Sequence, residues 1–158
     1  MEIERFMNHN AHTTQPFSLD GTHCWARVID AHDGDTIKVI MSVFGDNYFK
    51  FSVRLAGIDT CELRSKNTVV RALANEAKTR LLELVTGNRS ECDMNTETFL
   101  VYLHCHQFDK YGRLLADVFL DDACETSVSD ILLGERLAYP YTGKTKKSET
   151  EQLSLLNP

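Results

Sequence analysis

Nowhere in the chain does an uncharged apolar run approach the roughly 20 positions that a bilayer-spanning helix needs, so no membrane helix is expected. The opening stretch MEIERFMNHNAHTTQ lacks the basic and then apolar pattern of a secretory leader, which points to an unexported protein. CxxC pairs are missing as well. The five cysteines (Cys24, Cys61, Cys92, Cys105 and Cys124) are an odd number without that spacing. They read as free thiols in a reducing, intracellular compartment, and a disulfide scaffold is not expected. An excess of basic residues is the third absence: 17 Lys plus Arg face 23 Asp plus Glu, for a net charge of −6. A surface of that sign does not attract phosphate backbones globally, which argues against a simple DNA-coating protein. A bound metal or a local basic patch can still reverse the field at one site. There is no internal repeat and no low-complexity linker.

What is present fits one compact domain. Of the 158 residues 42% are apolar and 25% charged, enough to fill a single core and avoid wholesale disorder. Residues 1–22 are polar, rich in His, Asn and Thr, and follow neither regular period, so they read as an N-terminal extension preceding a domain over 23–158. A first strand is expected over Cys24–Asp30. DTIKVIMSV then alternates, with Ile37, Val39, Met41 and Val43 on one face and Thr36, Lys38 and Ser42 on the other; Ile40 is the exception. After the turn FGDN, YFKFSVRLA alternates again. Phe49, Phe51, Val53 and Leu55 oppose Lys50, Ser52 and Arg54. From Thr68 to Val85 the period becomes helical, with an apolar stripe of Val70, Leu73, Ala77, Leu81 and Leu84 and with Gly87 as the stop. TFLVYLHCH and RLLADVFL read as two further strands around the turn DKYG. Ser127–Leu133 is a short helix with Ser127 and Asp130 spaced as a capping box, and a last helix is read near Ser148–Leu156. This order describes an α+β, mainly β chain: a five-stranded antiparallel sheet with about three helices, arranged as in an OB-type Greek-key barrel.

Three polar clusters stand where packing does not demand them. They are Asp33-Gly34-Asp35-Thr36, Arg54 with Ile58-Asp59-Thr60-Cys61-Glu62, and Asp109-Lys110-Tyr111-Gly112-Arg113. Each has an ordinary reading by itself: Asp and Gly suit turns, and charges at strand ends commonly form solvated pairs. Together the segments VIDAHDGDTIKV, VRLAGIDTCE and DKYGRLLADVF resemble, in order and spacing, the three motifs of the staphylococcal nuclease-like (thermonuclease) family. The resemblance covers roughly residues 24–141 and includes a counterpart of the family's late tyrosine pair in LAYPY.

That resemblance implies a metal-dependent nuclease acting on DNA, RNA or both, with little sequence preference and products carrying a 3′-phosphate. Asp35, Asp59 and the carbonyl of Thr60 match the metal ligands, and Asp33 matches an acid near the metal. Two carboxylates and a carbonyl make a hard oxygen site, suited to Ca²⁺ or, as the smaller competitor, Mg²⁺. Glu62 matches the general base, and Arg54 and Arg113 match the two arginines that bind the scissile phosphate. Arg54 lies on the polar face of its strand, as a phosphate contact requires. Lys110, Tyr111 and Tyr139 match residues that bind a terminal phosphate or the neighbouring sugar and base, and Tyr141 an aromatic that contacts a base. Tyr139 and Tyr141 also have a packing reading at the barrel end. Aromatic faces with local cations grip single-stranded or frayed nucleic acid without reading sequence.

The chain departs from the family at Cys61, where a proline is usual, in a short stretch between Glu62 and the helix, in a short segment after Tyr141, and in its acidic pI near 5.5. Other candidates are weaker. His104 and His106 share a strand face but lack an evident third ligand, and His9, His12 and His23 lie in the presumed extension. Cys61 has no paired histidine to make it a nucleophile. Lys144, Lys146 and Lys147 form a basic run that reads as surface or as a nucleic-acid contact. The alternative function is a non-catalytic module binding nucleic acid or protein on the same fold. From size, a monomer is expected.

Overall fold

The computed structural model describes residues 1–89 and 91–157. Alternation and caps account for most of its elements. A short exposed helix, α1 (Glu2–Phe6), stands within the segment read as an irregular extension. Leu19, before the first strand, is buried in the core, and the N–H of Gly21 donates to the carbonyl of Cys105 at 3.0 Å.

Five strands form the barrel: β1 (His23–Asp33), β2 (Thr36–Ser42), β3 (Tyr48–Leu55), β5 (Phe99–Phe108) and β6 (Leu114–Phe119). β4 (Ile58–Asp59) lies outside it. The order β1-β2-β3-β6-β5 closes on itself, because β5 also pairs with β1. Inward side chains such as Val28, Ile37, Val39, Val53, Leu103 and Leu114 are fully buried, as period-two alternation requires. One expectation needs correction. The sheet is mixed rather than antiparallel, since β3 and β6 pair in parallel through Val53↔Leu114 and Leu55↔Ala116. That pairing closes the barrel, and closure removes the open edges that a flat sheet would expose. Phe49 also departs from expectation. It is half-exposed because the β2–β3 hairpin extends beyond the barrel, while Val53 and Leu55 reach the core.

Helix α2 (Thr68–Thr86) starts where Asn67 Oδ1 accepts from the backbone N–H groups of Val69 and Val70, and it ends at Gly87, whose φ is +67°. Its buried stripe is Val70, Ala74, Ala77, Leu81 and Val85, rotated slightly from the expected one, with Leu73 and Leu84 at the margin. α3 (Val128–Gly134) carries the expected Ser127–Asp130 capping box, and α4 (Glu149–Leu156) begins at Ser148. The two-residue strand β7 (Tyr139–Pro140) pairs antiparallel with β4, setting Asp59 opposite Tyr139. No helix among the described residues is long and apolar enough to cross a membrane.

Candidate active site

Three chain segments converge at one end of the barrel. The β1–β2 turn supplies Asp33 and Asp35, the end of β3 with β4 supplies Arg54 and Asp59 to Glu62, and the β5–β6 turn supplies Lys110 to Arg113. The first turn is tight. The N–H of Asp35 donates to Asp33 Oδ1 at 3.1 Å, and Gly34 packs so closely on α2 that a Cβ there would sit 2.6 Å from Ala77 Cβ. Backbone bonds then carry Asp35 against the neighbouring strand, the N–H of Leu55 donating to its carbonyl at 2.8 Å.

Arg54 is the hub. Although it lies on the polar face of β3, its side chain is buried, enclosed by this end of the barrel. Its NH1 donates to the carbonyls of Leu55 and Ile58 at 3.2 and 2.9 Å and lies 3.4 Å from Asp35 Oδ2; its NH2 donates to Asp59 Oδ1 at 3.2 Å. The ring of Tyr141 lies 5.7 Å from its guanidinium carbon, within cation–π range. Thr60 ties the two carboxylates together. Its N–H donates to Asp59 Oδ1 at 3.0 Å and to Asp35 Oδ2 at 3.2 Å, and its hydroxyl donates to Asp35 Oδ2 at 3.2 Å.

Both carboxylates are nearly sealed from water, at 4% exposure for Asp35 and 5% for Asp59. Burial pushes Asp35 above the usual carboxylate range, helped by the charge of Asp33 and opposed by Arg54. Burial likewise raises Asp59, against a hydrogen bond from Tyr139 and the charges of Lys146 and Arg54. Burial thus outweighs the stabilisation that Arg54, Lys146 and Tyr139 give the two charged carboxylates. The donors are all oxygen, the chemistry that a hard divalent cation takes. Among the described residues, no group of three or more His, Cys, Asp or Glu side chains forms a complete cage. A cation here would accordingly use Asp35, Asp59 and a backbone carbonyl, with water and substrate completing its shell.

Glu62 and Arg113 differ from this buried pair. Glu62 is 61% exposed and ion-paired with Lys146, whose Nζ also lies 3.7 Å from Asp59 Oδ2. Burial pulls the Lys146 ammonium down, but Glu62 and Asp59 outweigh it and hold the group above the usual lysine range. Arg113 is oriented by Asp109, whose Oδ2 accepts from Nε at 2.7 Å while its Oδ1 accepts from the N–H groups of Tyr111 and Arg113, both at 2.9 Å. Held through Nε in this way, Arg113 lines the polar cavity. Tyr111 is exposed, with Lys110 Nζ 5.1 Å and the Arg113 guanidinium carbon 5.5 Å from its ring centre.

Every sequence-predicted site residue except Tyr139 lines one polar cavity of about 400 Å³. An adjoining, more apolar cavity of about 530 Å³ shares Arg54, Lys110, Tyr111, Arg113 and Tyr141 and adds Leu55, Ile58 and Leu115. Tyr139 lines neither cavity. It is buried, and its hydroxyl donates to Asp59 Oδ2 at 2.8 Å, so it holds a carboxylate from behind. Sequence reasoning missed this role because it depends on the two-residue β4–β7 pairing, which leaves no periodic signal. It also missed Lys146 as a site residue, although the basic run after the tyrosines was its signal.

The discarded candidates lie elsewhere. His23 belongs to β1 rather than to an extension and stacks on His104 with ring centres 3.8 Å apart; His104 Nε2 lies 3.3 Å from Cys124 Sγ. His106 Nε2 lies 2.8 Å from Asp117 Oδ2. The Cys61 thiol is buried, which pushes its pKa up to about 11 and leaves it a poor nucleophile at neutral pH. All five cysteines are free.

Comparison with known proteins identifies the family of the chain. Residues 52–157 match the family model described as staphylococcal nuclease homologue. The matched stretch runs from β3 through α4, and so includes Arg54, Asp59, Glu62, Arg113 and both tyrosines of LAYPY. Endonuclease YncB of Bacillus subtilis (strain 168) is 37% identical over 119 residues, covering 73% of this chain and 49% of YncB. The SPbeta prophage-derived endonuclease YokF of the same organism is 36% identical over 119 residues, covering 73% of this chain and 35% of YokF. The chain spans about half the length of the first of these curated relatives and about a third of the second. With well over half of its residues under the family match, and with the barrel and converging motifs described above, the chain belongs to the staphylococcal nuclease homologue family.

Proposed function

We propose that the polar cavity hydrolyses phosphodiester bonds of DNA or RNA, with little sequence preference, in a reaction that depends on a divalent cation. One observation carries this reading: two buried carboxylates, an exposed carboxylate and two arginines from separate elements share a single 400 Å³ cavity. Asp35, Asp59 and the carbonyl of Thr60 are the groups that would hold Ca²⁺, with Mg²⁺ the smaller competitor. Such an ion, when bound, would lower the pKa of the attacking water and polarise a phosphate oxygen.

The chain's own residues account for the remaining chemistry. Glu62, exposed at the cavity, accepts the proton of the attacking water at a carboxylate oxygen. Attack puts further negative charge on the phosphate oxygens. Arg113, braced through Nε by Asp109, directs its outer fork to that charge without reorganising when it develops. Arg54 is more deeply held and contributes a fixed positive field beside Asp35 and Asp59. Lys110, Tyr111 and Tyr141 offer a cation and aromatic faces to the flanking sugar, phosphate and base, a grip suited to single-stranded or frayed ends. The names of the two relatives, both endonucleases, support cleavage within a strand.

The test is cleavage of end-labelled single-stranded DNA and RNA with Ca²⁺, with Mg²⁺ and with EDTA. Cutting with a divalent ion that EDTA stops is the expected result. Binding without cutting under every metal would replace this reading with that of a binding module on the same fold.

A further inference from the structure

Lys146 is the one cation in the polar cavity that touches both the proposed base and a proposed metal ligand. Its Nζ pairs with Glu62 Oε1 and lies 3.7 Å from Asp59 Oδ2, while its side chain is 39% exposed. This placement is built rather than accidental, because the backbone is pinned on both sides of the residue. On one side, the Tyr141 hydroxyl donates to the carbonyl of Lys144 at 3.0 Å, and Gly143 turns the loop at a φ of +83°. On the other, the amide of the buried Gln152 donates to the carbonyl of Lys147 at 2.8 Å, and Ser148 starts α4. The loop is held while the four-carbon stem of the lysine can swing.

A flexible ammonium and a divalent cation would compete for the same negative field. Arg54 does not balance Asp59 alone, because its single charge is shared with Asp35: NH2 meets Asp59 Oδ1 at 3.2 Å and NH1 lies 3.4 Å from Asp35 Oδ2. One positive charge at the tip of Lys146 supplies part of the balance and also occupies Glu62, whose lone pairs are needed for the attacking water.

We propose that Lys146 is a resident counter-ion of the metal-free site, pairing Asp59 with Glu62 until a divalent cation displaces it and frees Glu62 to act as base. The inference rests on the metal-dependent reading above. Removing a group that binds the empty site in competition with the ion tightens ion binding by linkage.

Calorimetric titration of the whole chain with Ca²⁺, compared across wild type, Lys146→Met and Lys146→Arg, tests it. The side chain is partly exposed, so its loss threatens no core packing. Lys146→Met is expected to bind Ca²⁺ about fivefold more tightly, the scale of a partly solvated ion pair, while Lys146→Arg stays near wild type. The metal-free Lys146→Met protein is also expected to melt below the wild type, with the difference closing at saturating Ca²⁺. Equal or weaker Ca²⁺ binding by Lys146→Met would overturn the inference alone. A wild type that binds neither Ca²⁺ nor Mg²⁺ would overturn the metal reading and this inference with it.

Discussion

Tyr139 and Asp109 have no direct part in the proposed chemistry, yet each holds a group that has one: Tyr139 holds Asp59, and Asp109 holds Arg113. Tyr139 donates its hydroxyl to Asp59 Oδ2 from a fully buried position, and the same contact raises the phenol pKa well beyond its ordinary value, after the larger effect of burial. Tyr139→Phe keeps the ring and deletes one donor to a buried carboxylate. It is expected to cost about 1–3 kcal/mol in urea unfolding of the metal-free protein. Asp109 behaves oppositely to Asp35 and Asp59. Burial alone would raise its pKa, but the N–H and guanidinium of Arg113 and the N–H of Tyr111 outweigh burial and lower it below about 3.8. Because the folded pKa is the lower one, this stabilisation is fully present above the unfolded value and is lost as pH falls through the folded value. Asp109→Asn should therefore destabilise the protein at neutral pH by about 1 kcal/mol, with the difference from wild type shrinking below pH ~3.8 in a pH series of thermal melts. Most of these positions could be found in the sequence, since Asp35, Asp59, Glu62, Arg54 and Arg113 lie in contiguous motifs. What could not be read was which of them are buried, or that Tyr139 faces Asp59 rather than the cavity.

Gly34 shows how tightly the secondary-structure elements constrain the site. The β1–β2 turn presses against α2 and the Thr60 side chain, and an added Cβ would lie 2.6 Å from Ala77 Cβ and 3.2 Å from Thr60 Cγ2. Gly34→Ala must push the turn off the helix, carrying Asp35 away from Arg54. A loss of about 1–3 kcal/mol in chemical denaturation, the usual cost of overpacking, is expected together with weaker Ca²⁺ binding. The helix itself depends on its cap, so Asn67→Ala, which leaves the N–H groups of Val69 and Val70 without that acceptor, should cost about 1 kcal/mol. These elements were legible to unequal degrees. Alternation in DTIKVIMSV revealed β2 and its buried face because every second side chain meets the core. The parallel β3–β6 contact and the β4–β7 bridge involve only three and two paired residues, too few for periodicity to show. The α2 stripe was displaced because the helix packs on two clusters: Leu81 and Val85 meet the barrel core, while Val70 and Ala74 pack with Cys61, Tyr139 and Leu156 and leave Leu73 at the margin.

Across the molecule, a net charge of −6 coexists with a cavity that gathers Arg54, Lys110, Arg113, Lys144 and Lys146. The same cavity carries Asp33, Asp35, Asp59 and Glu62, so under the proposed function a nucleic-acid strand would be held by individual phosphate contacts to the cations, and its binding is expected to fall with salt. Arg113→Ala is expected to flatten the slope of log affinity against log salt for single-stranded DNA by about 0.7, the value of one phosphate contact. The proposed chemistry depends on Glu62 acting on water within an otherwise intact site. The most direct measurement is the single-turnover cleavage rate of a labelled single-stranded oligonucleotide in saturating Ca²⁺, for wild type and Glu62→Gln, with oligonucleotide affinity measured in parallel. The expected rate is about 10²- to 10⁴-fold lower in the variant with binding largely retained, the range for removal of a general base. Cleavage by Glu62→Gln at the wild-type rate would contradict the proposed chemistry.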